Sequence, residues 1–217
     1  EDSETTIKKP KKEGREKDTM IVFCSDNGPV GDDGYADEAL EKMGDHQAAG
    51  PYTGGKYSIF EGGTRTPFIT YWPETIKPGV SDKVVCTIDF AGSLANHLGI
   101  TLPKDSCLDS LNVMGALLGE KGARGRSHLI QQDNGRGSNY GYREGKWKMQ
   151  RHDSKKTQNY QVNKLLGSQR AQKVPQYALF DLAKDPQEKN DLARKKPKLL
   201  TEMKASLKEY LDAGRTR

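Results

Sequence analysis

The chain has 217 residues, room for one or two domains, yet only 33% are hydrophobic against 30% charged, so the core is poorer than the length would suggest. No apolar run reaches the length of a membrane span or forms a signal core, which argues against a spanning protein. The formal charge of +5 is terminal, with ten bases and six acids in residues 184–217, and no aromatic interleaving accompanies it; this argues for the wet face of a docking helix and against nucleic-acid binding.

In chain order, Glu1 to Asp18 carries six acids, six bases and no apolar residue except Ile7, and reads as a solvated lead-in rather than a targeting segment. Ile21, Val22, Phe23 and Cys24 follow as an unbroken apolar run, the pattern of a strand buried on both faces of a parallel sheet. Asp26 and Asn27 stand where that strand stops, the end at which open α/β sheets place their ligands. Adjacent strand residues point to opposite faces, so these two can share an ion only if the backbone turns, and Gly28-Pro29 supplies the turn. A carboxylate and an amide oxygen are hard donors suited to calcium, or to magnesium, rather than to zinc. The plain alternative is a hairpin turn at Asn-Gly, although polar loop and not an alternating strand comes next.

Between Gly50 and Gly63 lie five glycines, at 50, 54, 55, 62 and 63, which permit close backbone approach and positive φ. Lys56 sits among them, a compact ammonium suited to a tetrahedral anion. Glu61 and Arg65, four apart, are expected to pair and brace the loop. Phe68 to Trp72 reads as the next strand after Pro67. Asp89 to Gly99 is a core-packing helix, with Phe90, Leu94, Ala95 and Leu98 on one face, Asp89 as cap and Gly99 as stop. His97 has no companion ligand and is read as structural or superficial. Beyond Gly122, short strands at Leu129–Gln131, Tyr140–Tyr142, Trp147–Met149 and Ala178–Leu182, with a hairpin at Glu144-Gly145, predict an antiparallel sheet. A closing helix starts at Pro197 and stops at Gly214, with Leu199, Leu200, Met203, Leu207, Tyr210 and Leu211 at helical spacing. Three cysteines make no disulfide framework: Cys24 is read as a buried strand residue, while Cys86 and Cys107 can pair.

Taken together, Ser25-Asp26-Asn27-Gly28, Gly55-Lys56, Glu61 to Pro67 (EGGTRTP), Ile88-Asp89-Phe90, Tyr142 to Lys148 (YREGKWK) and Leu179 to Leu182 with Asp185 to Glu188 (DPQE) resemble the type I sulfatases of the alkaline phosphatase superfamily, over about residues 19–194. The resemblance implies the end of an alkaline-phosphatase-like mixed or parallel α/β sheet domain in residues 19–122, after the lead-in 1–18. A small subdomain of antiparallel sheet and terminal helix would follow in 123–217. By position it implies that Asp26 and Asn27 coordinate calcium and that Lys56 contacts the sulfate, with extracytoplasmic location. The family's formylglycine motif, Cys/Ser-x-Pro/Ala-x-Arg, is absent from these residues, as is its Asp-Asp strand end; Cys24, Cys86 and Cys107 are followed two positions later by Asp26, Ile88 and Asp109. The chain therefore resembles the C-terminal part of a sulfatase, inactive alone, its partner being the N-terminal half of the same domain. Its substrate would be a sulfated carbohydrate. Arg136, Asn134 and His46 are candidate sugar donors, with surface decoration as the plainer role. A phosphatase or phosphodiesterase of the superfamily and a non-catalytic polyanion-binding module stay open.

Overall fold

A computed structural model describes residues 3–30, 38–133, 139–153 and 174–216. It divides into two compact units, one of Glu1–Ser25 with Pro67–Ser127 and one of Asp26–Thr66 with His128–Thr216.

The first unit begins with the exposed helix α1, Ser3–Lys12, and a 3₁₀ turn, Glu16–Asp18. This lead-in is anchored where Trp72 Nε1 donates to Lys17 O at 2.6 Å and Tyr71 Oη to Glu16 Oε1 at 3.1 Å. Strand β1, Ile21–Cys24, pairs antiparallel with β2, Phe68–Tyr71, so that Ile21 faces Tyr71 and Cys24 faces Phe68. The apolar run thus marks a strand, but not one lying in a parallel ladder and enclosed on both faces. Phe23 and Ile69 are 57% and 56% exposed, and Cys24 is exposed as well. An apolar run reports a demand for burial and carries no information on the direction of its neighbour; a two-stranded ribbon leaves one face without a covering layer.

After β2 come α4, Asp89–His97, and α5, Met114–Leu117; α2, Ala39–Lys42, and α3, Glu61–Thr64, belong to the second unit. Val113, Met114, Ala116 and Leu117 form the core of the first unit, with Phe68, Phe90 and Leu94 against them. Gly99 stops α4 at a φ of +66°. Leu98 falls in that closing turn, outside the helix, and is 64% exposed instead of joining the apolar face. Asp89 is the first residue of the helix and not its cap, a place held by Ile88 without a side-chain cap bond; its carboxylate is buried and accepts from Cys86 N, Leu111 N and Arg126 Nε at 3.0, 2.9 and 2.8 Å. Cys24, Cys86 and Cys107 are all free thiols.

In the second unit β3, His128–Gln132, β4, Tyr140–Glu144, β5, Trp147–Arg151, and β6, Tyr177–Asp181, form an antiparallel meander in chain order. Gly145, at a φ of +56°, makes the tight turn between β4 and β5. The sheet's outer strand is covered: Leu192 N donates to Leu179 O at 2.8 Å, and Leu179 N to Asp191 Oδ1 at 3.0 Å. Helix α6, Pro197–Ala213, buries Met203 and Leu207 against Tyr142, Met149 and Leu179, and Gly214 caps it in the left-handed conformation. The result is a mixed α/β protein whose strands pair antiparallel.

Candidate functional site

Residues 26–29 do not make a hairpin. Gly28 is buried, and its N–H donates to Gly63 O at 2.9 Å. A Cβ built on Gly28 would lie 1.8 Å from Gly62 O, so no other residue permits this approach. Pro29 O in turn accepts from Lys56 N at 2.9 Å. The turn that ends in Asp26 and Asn27 is therefore laid backbone to backbone on the glycine loop, and Lys56 is tied to the residue two past Asn27. Asp26 is exposed and Asn27 half-buried. Asn27 Nδ2 donates to Gly28 O at 2.9 Å, which commits the amide nitrogen to the backbone and makes Oδ1 the atom with ligand chemistry.

Within the loop, Gly62 N donates to Thr53 O at 2.8 Å, and a Cβ on Gly62 would stand 2.5 Å from that oxygen. At Gly63 it would stand 2.3 Å from Gly55 O. The chain doubles back on itself with no space for side chains. Lys56 is half-buried, its Nζ 4.9 Å from the Tyr57 ring centroid. Tyr57 has a φ of +74°, a conformation non-glycine residues adopt at a cost and which gathers at functional sites.

The spacing of Glu61 and Arg65 predicts that they pair. That contact exists at 3.5 Å, but Arg65 is exposed and the principal partner is another residue. Lys148 Nζ, fully buried on β5, lies 2.8 Å from Glu61 Oε1 and 3.0 Å from Glu188 Oε1. Glu188 Oε2 accepts Glu61 N–H at 2.6 Å, and Gln150 Nε2 donates to Glu188 Oε1 at 2.7 Å. His152 Nε2 lies 3.0 Å from Gln150 Oε1; as that oxygen only accepts, the imidazole donates through Nε2. Burial raises the Glu188 carboxyl above the usual carboxylate range, opposed by the Lys148 charge. It lowers His152 to about 4.

Sequence reasoning missed this cluster. Lys148 and Gln150 on β5 and His152 just past its end recur at period two, opposite Trp147 and Met149, which reads as a polar solvent face. Both faces are covered instead: Met149 is buried against α6, and the polar side chains lie on Glu61 and Glu188. Of the other candidates, His46 is exposed in a turn, and His97 is exposed with its ring 5.7 Å from that of Trp72. Asn134 and Arg136 lie outside the described residues. Among the described residues no group of three His, Cys, Asp or Glu side chains converges, so Asp26 and Asn27 are two oxygen donors beside a lysine loop.

The comparisons with known proteins point the same way. Residues 4–100 match the family model described as sulfatase, and residues 54–217 the one described as N-sulphoglucosamine sulphohydrolase, C-terminal. A curated N-acetylgalactosamine-6-O-sulfatase of Bacteroides thetaiotaomicron is 39% identical over 199 residues, 92% of this chain and 37% of that protein. The human N-acetylgalactosamine-6-sulfatase is 37% identical over 102 residues, 46% of this chain and 18% of that protein. A solved Bacteroides thetaiotaomicron structure, described under the metabolism of multiple glycosaminoglycans, superposes with a TM-score of 0.83 at 34% identity, over 94% of this chain and 41% of its own. The chain thus spans 37% of the length of the first of these relatives. Matched by the two models, which together cover residues 4–217, it belongs to the sulfatase family of the alkaline phosphatase superfamily, of which it corresponds to the C-terminal portion.

Proposed function

We propose that this chain is the C-terminal part of a sulfatase that hydrolyses sulfate esters of carbohydrates, with 6-sulfated N-acetylgalactosamine as the first substrate to test. The observation that carries this reading is the double backbone tie of Lys56 N to Pro29 O and Gly28 N to Gly63 O, which sets the Asp26-Asn27 turn beside the lysine loop. The names of the relatives supply the substrate class.

Asp26 and Asn27 would hold calcium, with magnesium as the second choice. Their donor set fits: a carboxylate and an amide oxygen are the hard ligands such ions take. An ion of that kind takes about six to eight oxygens, so the remaining ligands belong to the N-terminal half of the domain, which we also propose as the cover for Phe23 and Ile69. When bound, the cation withdraws charge from the sulfuryl oxygens. The ammonium of Lys56 reaches a sulfate oxygen and steadies the charge that grows as the ester bond breaks. The formylglycine nucleophile is assigned to the same N-terminal half, so these 217 residues alone are inactive. We place the division of these 217 residues at 1–18, 19–122 and 123–217, and the protein outside the cytoplasm.

The test is turnover by the intact protein. Lys56→Ala and Asp26→Ala should each lower kcat by about 10²- to 10³-fold on a 6-sulfated N-acetylgalactosamine glycoside, and metal analysis should find one calcium per chain. Full activity in either variant overturns the assignment. Two metals would favour a phosphodiesterase, and salt-sensitive polyanion binding without turnover a non-catalytic module.

A further inference from the structure

The glycine loop rests on a buried charge cluster that nothing in the proposed chemistry uses. Two carboxylates, Glu61 and Glu188, share the single buried ammonium of Lys148, with Gln150 donating to Glu188 from the same strand. Desolvating three charges costs about as much as their attraction returns, so an apolar trio would hold the loop as firmly; what a charge cluster adds is a defined geometry.

That geometry is transmitted to the site along short connections. Thr53 Oγ1 donates to Gln187 O at 2.5 Å, and Glu61 N donates to Glu188 Oε2 at 2.6 Å. Two consecutive residues, 187 and 188, thus grip both stems of the loop that carries Lys56. Past the second stem, Gly62 and Gly63 are the residues on which Gly28 lies, with the Asp26-Asn27 turn just before it. Glu188 is itself in the left-handed conformation, φ +57°, as is Tyr57 at +74° beside Lys56. Neither is a glycine, and each needs its surroundings to hold it there.

We propose that Lys148 and Glu188, with Thr53, are positioning residues for sulfate binding and turnover: a clamp in which β5 and the segment after β6 hold the loop at Thr53 and Glu61 and so set the distance between Lys56 and the Asp26-Asn27 turn. The inference rests on the sulfatase reading for its chemistry. It assigns the C-terminal subdomain a part in the reaction through Lys148 and Glu188, which act by way of the loop.

The experiment uses the intact protein, below the melting temperature of each variant, and reads kcat, KM and the inhibition constant of inorganic sulfate. Lys148→Met should lower kcat by about 100-fold, the effect of a displacement near 1 Å, and weaken sulfate inhibition in parallel. Thr53→Val should cost roughly tenfold, the equivalent of one hydrogen bond, and Thr53→Ser should restore the parent values. Should Lys148→Met fail to fold, the Thr53 pair decides alone. Lower melting temperatures with kcat and sulfate inhibition within twofold of the parent would reduce the cluster to a structural one and overturn the proposal. Lys56→Ala is measured alongside: if it loses sulfate inhibition while Lys148→Met and Thr53→Val keep it, the clamp fails and the sulfatase reading stands. If Lys56→Ala keeps it too, that reading itself fails and takes the clamp with it.

Discussion

Two buried charge clusters stand among the described residues, and they are built differently. In the first unit Asp89 and Arg126 form a one-to-one pair in which each side chain is 1% exposed and the carboxylate also accepts two backbone N–H groups. Arg126 further donates to Asp109 O, so the pair closes on its own surroundings and staples residues 86–89 to 109–111. In the second unit two carboxylates face one buried lysine, and the hydrogen bonds lead outward into the glycine loop. A self-contained pair holds a fold. An open cluster, one of whose carboxylates sits above its ordinary range through burial, also hands its geometry to whatever lies at the far end.

The largest expected effect tests the closed pair. Arg126→Met leaves the Asp89 carboxylate buried without its cation and should cost about 3–5 kcal/mol in urea unfolding of the intact protein. Sulfate-ester turnover by the folded fraction should be unchanged; a fall in kcat like that expected for Lys148→Met would erase the distinction between the clusters.

Next comes the contact at the far end of the open cluster. Gly28→Ala drives a methyl into Gly62 O, a backbone atom that cannot swing aside. We expect kcat to fall by about 100-fold, or ~2.7 kcal/mol in transition-state terms. Faster amide exchange at Gly28 and Lys56 should accompany it. Parent-like kinetics would mean that the two turns need not touch.

The pH dependence of stability sharpens the comparison further. His152 is lowered to about 4 by burial, against an ordinary 6.5, so the unfolded chain takes up the proton first as pH falls. His152 should therefore lower stability by about 3 kcal/mol between about pH 6.5 and 4, and Glu188 offsets part of that because its folded form is protonated more readily. His152→Leu should flatten that decline in urea midpoints measured across the range, and an unchanged slope would move its origin elsewhere. The smallest effect lies outside both clusters: Gly214→Ala strains the left-handed cap of α6 without any clash and should cost about 1 kcal/mol, with kcat untouched.

Much of the scaffold was legible in the residues. The strands β3–β6 follow from period-two patterning and the turn at Gly145, and α6 from its apolar stripe between Pro197 and Gly214. The family was legible too, because its motifs are short and contiguous. These features depend on sterics between residues a few positions apart, which any chain of this composition would feel.

Only the tertiary structure decided that β1 runs antiparallel to its neighbour, that Gly28 rests on Gly62 O, and that Lys148 is interior. An ammonium on a strand reads as solvated unless an acid is brought to it, and Glu61 lies 87 positions away. Burial of a charge is a property of the partners that surround it, and those partners meet only when the chain has folded.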